Sequence, residues 1–94
     1  MNSVLVMYKI KDFKKWKLNN DNGAGTRKSK GSREAYVYNK KNNPNELVVL
    51  YNWDDLGNAR EYFESEEFKN QMEEAGLNSD PEIQYLEEKE RLVG

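Results

Sequence analysis

The sequence predicts an α+β fold whose strands and helices follow the order β-α-β-β-α-β. Three observations carry this: four short runs rich in β-branched and aromatic residues, two amphipathic stretches between them, and one Pro/Asn turn joining the middle strands directly. The chain has 94 residues. That length suits one domain over residues 1–94, because so short a chain builds a single compact core.

Residues 4–10, with Val4, Leu5, Val6 and Ile10, read as the first strand. Asp12 stands where a helix N-cap belongs, and Phe13 and Trp16 follow at i, i+3 spacing, so a first helix is expected over 13–29. Its middle, Asn19-Asn20-Asp21-Asn22-Gly23-Ala24-Gly25, is built from weak helix formers. Either packing holds that helix or it breaks near Gly23. A second strand is expected over 33–39 and a turn over 41–45, where Pro44 sets φ and Asn accepts unusual backbone angles. The third strand follows at 46–53, so the two form an antiparallel hairpin.

Asp54 or Asp55 caps the next helix. Leu56, Ala59, Phe63, Phe68, Met72 and Ala75 form its apolar stripe, with a kink expected at Ser65. Gly76 suits a left-handed helix stop. Residues 83–86 read as the last strand and 87–94 as a charged tail.

This is the split βαβ, or ferredoxin-like, arrangement: a four-stranded antiparallel sheet with two helices on one face. The other face is then bare, yet both sides of the central strands are apolar. Val4, Val6, Tyr8 and Ile10 alternate with Leu5 and Met7, and Leu47, Val49, Tyr51 and Trp53 alternate with Val48 and Leu50. An apolar sheet face of that size marks an interface, and a second copy of the chain is the simplest cover. A homodimer through the sheet face is therefore expected.

Cysteine and histidine are both absent. That removes disulfides, thiolate or imidazole metal sites, a cysteine nucleophile and a histidine base. No metal and no cofactor are expected. The N-terminal apolar run is too short for a signal segment or membrane span, and a cytoplasmic location with no membrane partner is expected. Charge is uneven: residues 9–41 carry 11 Lys/Arg against three acids, residues 42–94 four against 14. The net charge of −2 repels phosphate backbones, so the basic stretch reads as a solvated helix and no nucleic acid is expected as a partner.

The segments Tyr8-Lys9-Ile10-Lys11-Asp12-Phe13-Lys14-Lys15-Trp16, Asn43-Pro44-Asn45-Glu46-Leu47-Val48-Val49-Leu50, Trp53-Asp54-Asp55-Leu56-Gly57-Asn58-Ala59-Arg60, Ser65-Glu66-Glu67-Phe68-Lys69 and Ala75-Gly76 together resemble small proteins of the dimeric α/β-barrel superfamily, related to the antibiotic-biosynthesis monooxygenases. The likeness runs through nearly the whole chain. It implies two four-stranded sheets packed face to face, helices outside, and a pocket between each sheet and its own helices. It also implies membership of a group with cofactor-independent monooxygenases, haem-degrading enzymes, isomerases and proteins without known activity. Similar sequences often carry His about seven residues after the Trp matching Trp16. Gly23 stands there instead, so activities that need that His, including haem degradation by an Asn-Trp-His set, are not expected.

A pocket of this kind would be lined by Tyr8, Trp16, Asn20, Tyr36, Tyr51 and Trp53. Aromatic walls bind flat ligands, and amide or phenol groups orient them. Asn20 or Asn52 could donate to an enolate oxygen while a tyrosine relays a proton. The competing reading makes the same aromatics core or interface residues. Asp54-Asp55 reads as a helix cap, the Glu pairs as solvated surface, and Gly23-Ala24-Gly25 lacks the context of a phosphate loop. Two functions stay open: a small dimeric protein that binds or oxidises a small aromatic or polyketide-like molecule without a cofactor, or a non-catalytic stress-response or interaction module.

Overall fold

The computed structural model describes residues 1–94. Four strands, β1 (Asn2–Lys9), β2 (Ser32–Lys40), β3 (Asn43–Trp53) and β4 (Glu82–Glu87), alternate with four helices, α1 (Phe13–Asn22), α2 (Ala24–Ser29), α3 (Leu56–Phe63) and α4 (Glu66–Ala75). The sheet order is β2-β3-β1-β4, every pair antiparallel. This is the ferredoxin-like arrangement, with each expected helix divided in two. No helix is long and apolar enough to cross a membrane.

Both divisions have local causes. The helix expected over 13–29 breaks at Gly23, where the Asn-rich stretch ends. A side chain at Gly23 would collide with the Tyr62 hydroxyl and the Gln71 amide, so the break lets α3 and α4 close on this point. Asp12 caps α1, its carboxylate accepting from Lys14 N at 2.9 Å. The stripe over 56–75 breaks at Ser65, whose hydroxyl caps α4 by accepting from Phe68 N at 3.2 Å. Asp55, rather than Asp54, caps α3. Gly76 ends α4 at φ +65°, a region that costs other residues about 1–2 kcal/mol. The turn expected over 41–45 is tighter: Lys40 pairs with Asn43, so Asn43, Pro44 and Asn45 belong to β3.

Register assigns each side chain to a face. Val4, Val6 and Tyr8 of β1 lie opposite Tyr51, Val49 and Leu47 of β3. All six, with Trp53, are buried beneath the helices, where Trp16, Ala59, Tyr62, Phe63, Phe68, Met72 and Ala75 complete the core. The other face carries Leu5, Met7, Val48 and Leu50, half-buried only by their neighbours, with Tyr36 and Tyr38 exposed on β2. No element packs over it.

Candidate functional site

The helix-covered core is built from rings. Tyr8 meets Trp16 edge-on at 5.3 Å, Tyr51 meets Phe63 at 5.4 Å, and Trp53 meets Phe63 at 5.5 Å between ring centres. Such edge-to-face packing adds about 0.5–1.5 kcal/mol per pair beyond the area buried. Trp53 Nε1 donates to Lys30 O at 2.9 Å, which fixes the chain between α2 and β2. Trp16 Nε1 has no acceptor at all, although the ring is fully buried. Buried donors in native proteins are almost always paired.

A chain of polar side chains runs through these rings. The Tyr8 and Tyr51 hydroxyls are 3.0 Å apart, and Tyr51 O–H donates to Asn20 Oδ1 at 3.0 Å. With that donor committed, the Tyr8 hydroxyl supplies the hydrogen between the two phenols. Arg27 Nη1 donates to Asn20 O at 2.9 Å and approaches the Tyr62 hydroxyl at 3.5 Å. Tyr62 O–H in turn donates to Gln71 Oε1 at 2.9 Å. The Arg27 guanidinium lies 5.3 Å from the Tyr51 ring centre and 6.0 Å from that of Tyr62, within cation–π range.

Burial raises all three phenols of this chain. Tyr8 is held well above the usual tyrosine range by desolvation and then by Tyr51 beside it. Tyr51 and Tyr62 are also raised, chiefly by desolvation, with Arg27 pulling the other way. The phenols are therefore neutral O–H donors near neutral pH. They can hydrogen-bond to a developing oxyanion, and they are poor candidates for a ready-made base.

Of the residues expected to line a pocket, Tyr8, Trp16, Asn20, Tyr51 and Trp53 come together on the helix face of the sheet. Tyr36 does not. It pairs with Leu50, and this register puts it on the opposite face, exposed, with its hydroxyl bonded to Glu34. Asn52 is also on that face, accepting from the Ser3 hydroxyl at 3.1 Å. In each case alternation along the strand decides the side. Arg27, Tyr62 and Gln71 were missed. Arg27 could have been found from helical spacing, since Trp16, Asn20, Gly23 and Arg27 fall on one face at i, i+4, i+7 and i+11. Tyr62 and Gln71 join only through the close approach at Gly23.

The rings leave no room among themselves, with Tyr8, Trp16, Tyr51 and Trp53 all fully buried. Open space borders them instead. A groove of about 810 Å³ lies between α4 and β4, with Phe63, Phe68, Met72, Leu77 and Ile83 among its lining residues. Its charged residues are Glu64, Glu66, Glu73 and Asp80 against Lys69. Phe63 is also the ring that touches Tyr51 and Trp53, so the groove sits one ring away from the polar chain. A second groove, of about 800 Å³, lies between α2 and β2 and includes Arg27. No three acidic side chains converge as a metal-binding group.

Comparison with solved structures places this architecture. SnoaB, a cofactor-independent oxygenase from Streptomyces nogalater, superposes with a TM-score of 0.74 at 14% identity, over 99% of this chain and 96% of that one. The chain has the antibiotic-biosynthesis-monooxygenase fold. A conserved protein from Methanosarcina mazei Go1 superposes at 0.73 with 20% identity, covering 94% of this chain and 92% of the other. An antibiotic biosynthesis monooxygenase, so described provisionally, from Caulobacter crescentus CB15 gives 0.73 at 17% identity, over 95% and 90%. No family model and no curated protein sequence matches the chain. Identities this low speak for shared fold.

Proposed function

We propose that this protein is a homodimer that binds a small aromatic or polyketide-like molecule and, where the ligand carries an acidic C–H, oxidises it without metal or organic cofactor. The observation that supports this reading is the hydroxyl–amide–guanidinium chain buried in an aromatic core. Hydrocarbon side chains would pack that volume at less desolvation cost, so the polar groups call for a purpose beyond stability. In such an oxidation a substrate carbanion reacts with O₂, a CH₂ group becomes C=O, and the second oxygen leaves as water. The protein would hold the flat ligand over Phe63 and Phe68, one ring away from the buried phenols. The dimer would form through the bare sheet face, in keeping with the barrel that the family resemblance implies, and the cytoplasm is its proposed location.

A hydroxylated anthrone serves as the test ligand. Saturable amide shifts at Phe63, Phe68 and Met72, with oxygen uptake above the no-protein rate, support the proposal. Shifts without oxygen uptake leave a binding protein. Absence of both leaves the second reading, a non-catalytic interaction module, which the complete packing of Tyr8, Trp16, Tyr51 and Trp53 favours.

A further inference from the structure

Arg27 is 7% exposed, and its positive charge has no carboxylate partner: it takes part in none of the six ion pairs. Lys, Glu, Arg and Asp are almost never so enclosed unless paired. Its hydrogen bonds both leave from Nη1, to Asn20 O and the Tyr62 hydroxyl. Nε and Nη2 have no protein acceptor. These two nitrogens form the side edge of the guanidinium, the edge that receives both oxygens of a carboxylate in parallel.

The surroundings fit such a guest. Arg27 lines the groove between α2 and β2 together with Ala24, Gly31, Ser32 and Ala35, small residues that leave the groove open near the cation. Lys28 adds a second positive charge free of any ion pair, while Arg33 is matched by Asp54 at 2.9 Å and Glu34 receives the Tyr36 hydroxyl. The β2 side of the groove runs from Ser32 to Ala35. The α4–β4 groove differs in charge, with four acids against one lysine, and would repel the same ligand.

We propose that the α2–β2 groove binds a small organic carboxylate, held in a two-point contact by the Nε–Nη2 edge of Arg27. The fork geometry matches the planar carboxylate group, and the rings of Tyr51 and Tyr62 hold the guanidinium in place. One oriented fork matches the two oxygens of a carboxylate, and phosphate is the competing anion in the test. This site is separate from the α4–β4 groove and stands whether or not the protein oxidises anything.

The test is an NMR titration of isotope-labelled protein with benzoate, benzyl alcohol and inorganic phosphate in turn. Benzoate is expected to move the Arg27 Nε–H signal and the amides of Lys28, Gly31 and Ser32 saturably, while the alcohol and phosphate leave them in place. Arg27→Gln is expected to weaken benzoate about tenfold or more, with Arg27→Lys recovering part of the affinity as a point charge without the fork. Lys28→Glu, at the exposed rim, is expected to weaken benzoate without disturbing the fold. It keeps the test decisive if Arg27→Gln fails to fold. Equal response to benzoate and benzyl alcohol, preference for phosphate, shifts centred on Phe63 and Met72, or unchanged affinity in Arg27→Gln or Lys28→Glu would each overturn the site.

Discussion

The two faces of the sheet carry similar apolar residues and have different fates. On the helix side, Val4, Val6, Tyr8, Val49, Tyr51 and Trp53 are fully buried, and the Tyr8 and Tyr51 hydroxyls belong to a polar chain that runs through Asn20, Arg27 and Tyr62 to Gln71. On the other side, Leu5, Met7, Val48 and Leu50 are half-buried and Tyr36 and Tyr38 are exposed, with no layer above them. A hydrophobic strand pattern thus serves the core on one face and lies bare on the other. Alternation along a strand says only that two faces exist. Which face is covered is decided by helix placement.

The largest effect should come from the covered face. Trp16→Ala removes a fully buried ring and is expected to cost about 3–5 kcal/mol of folding stability, read from the urea midpoint. An effect below about 1 kcal/mol would mean that α1 is not part of the cooperative core.

Leu50→Lys tests the other face. A two-fold interface contains every substitution twice, so the dimer is expected to dissociate about a hundredfold more readily. Sedimentation should show loss of the dimer while far-ultraviolet circular dichroism stays unchanged. Unfolding of the monomer, or no change in mass, would break the contrast between a folding face and an assembly face.

Tyr51→Phe probes the polar chain within the covered face. It deletes the group that accepts from Tyr8 and donates to Asn20, leaving both without that partner, and is expected to cost about 1–3 kcal/mol. Substitution without loss would show that the chain is not held for stability, which would sharpen the case for a ligand role.

The smallest effect separates the faces by pH. The buried phenols of Tyr8 and Tyr51 have folded pKa values above the ordinary 10.0, first because of desolvation. The unfolded chain therefore loses these protons at lower pH than the folded one. Their contribution is complete below pH 10 and is lost as pH rises above it. The urea midpoint should fall from about pH 10 upward, and Tyr8→Phe should flatten that decline. A midpoint independent of pH in this range would place the phenols in water.

Several features were readable from residue types in order. Asp12 before Phe13, Ser65 inside a broken apolar stripe and Gly76 after Ala75 act within one turn of the chain, so their caps and breaks follow from local chemistry. The Asn/Gly run marked Gly23 as the place where the first helix would break unless packing held it, and the apolar strand pattern announced a two-faced sheet. Tyr8, Trp16, Asn20, Tyr51 and Trp53, expected with Tyr36 as the walls of a pocket for a flat ligand, do come together.

Other features needed the tertiary structure. Tyr36, expected in the pocket lining, lies on the opposite face, because the shifts in the β2–β3 pairing, between Ser32 and Ala35 and again at Asn39 and Lys40, are set by how two strands meet. Arg27 looked like one more charge in a basic stretch. Only the approach of α3 and β3 encloses it, and only the absence of a partnering carboxylate makes its free edge informative. The element order, the caps and the two apolar faces depend on neighbours along the chain, and the sequence by itself determines them. The enclosure of Arg27, the phenol chain and the position of the grooves depend on contacts between residues far apart in sequence, whose geometry exists only once the helices have packed on the sheet.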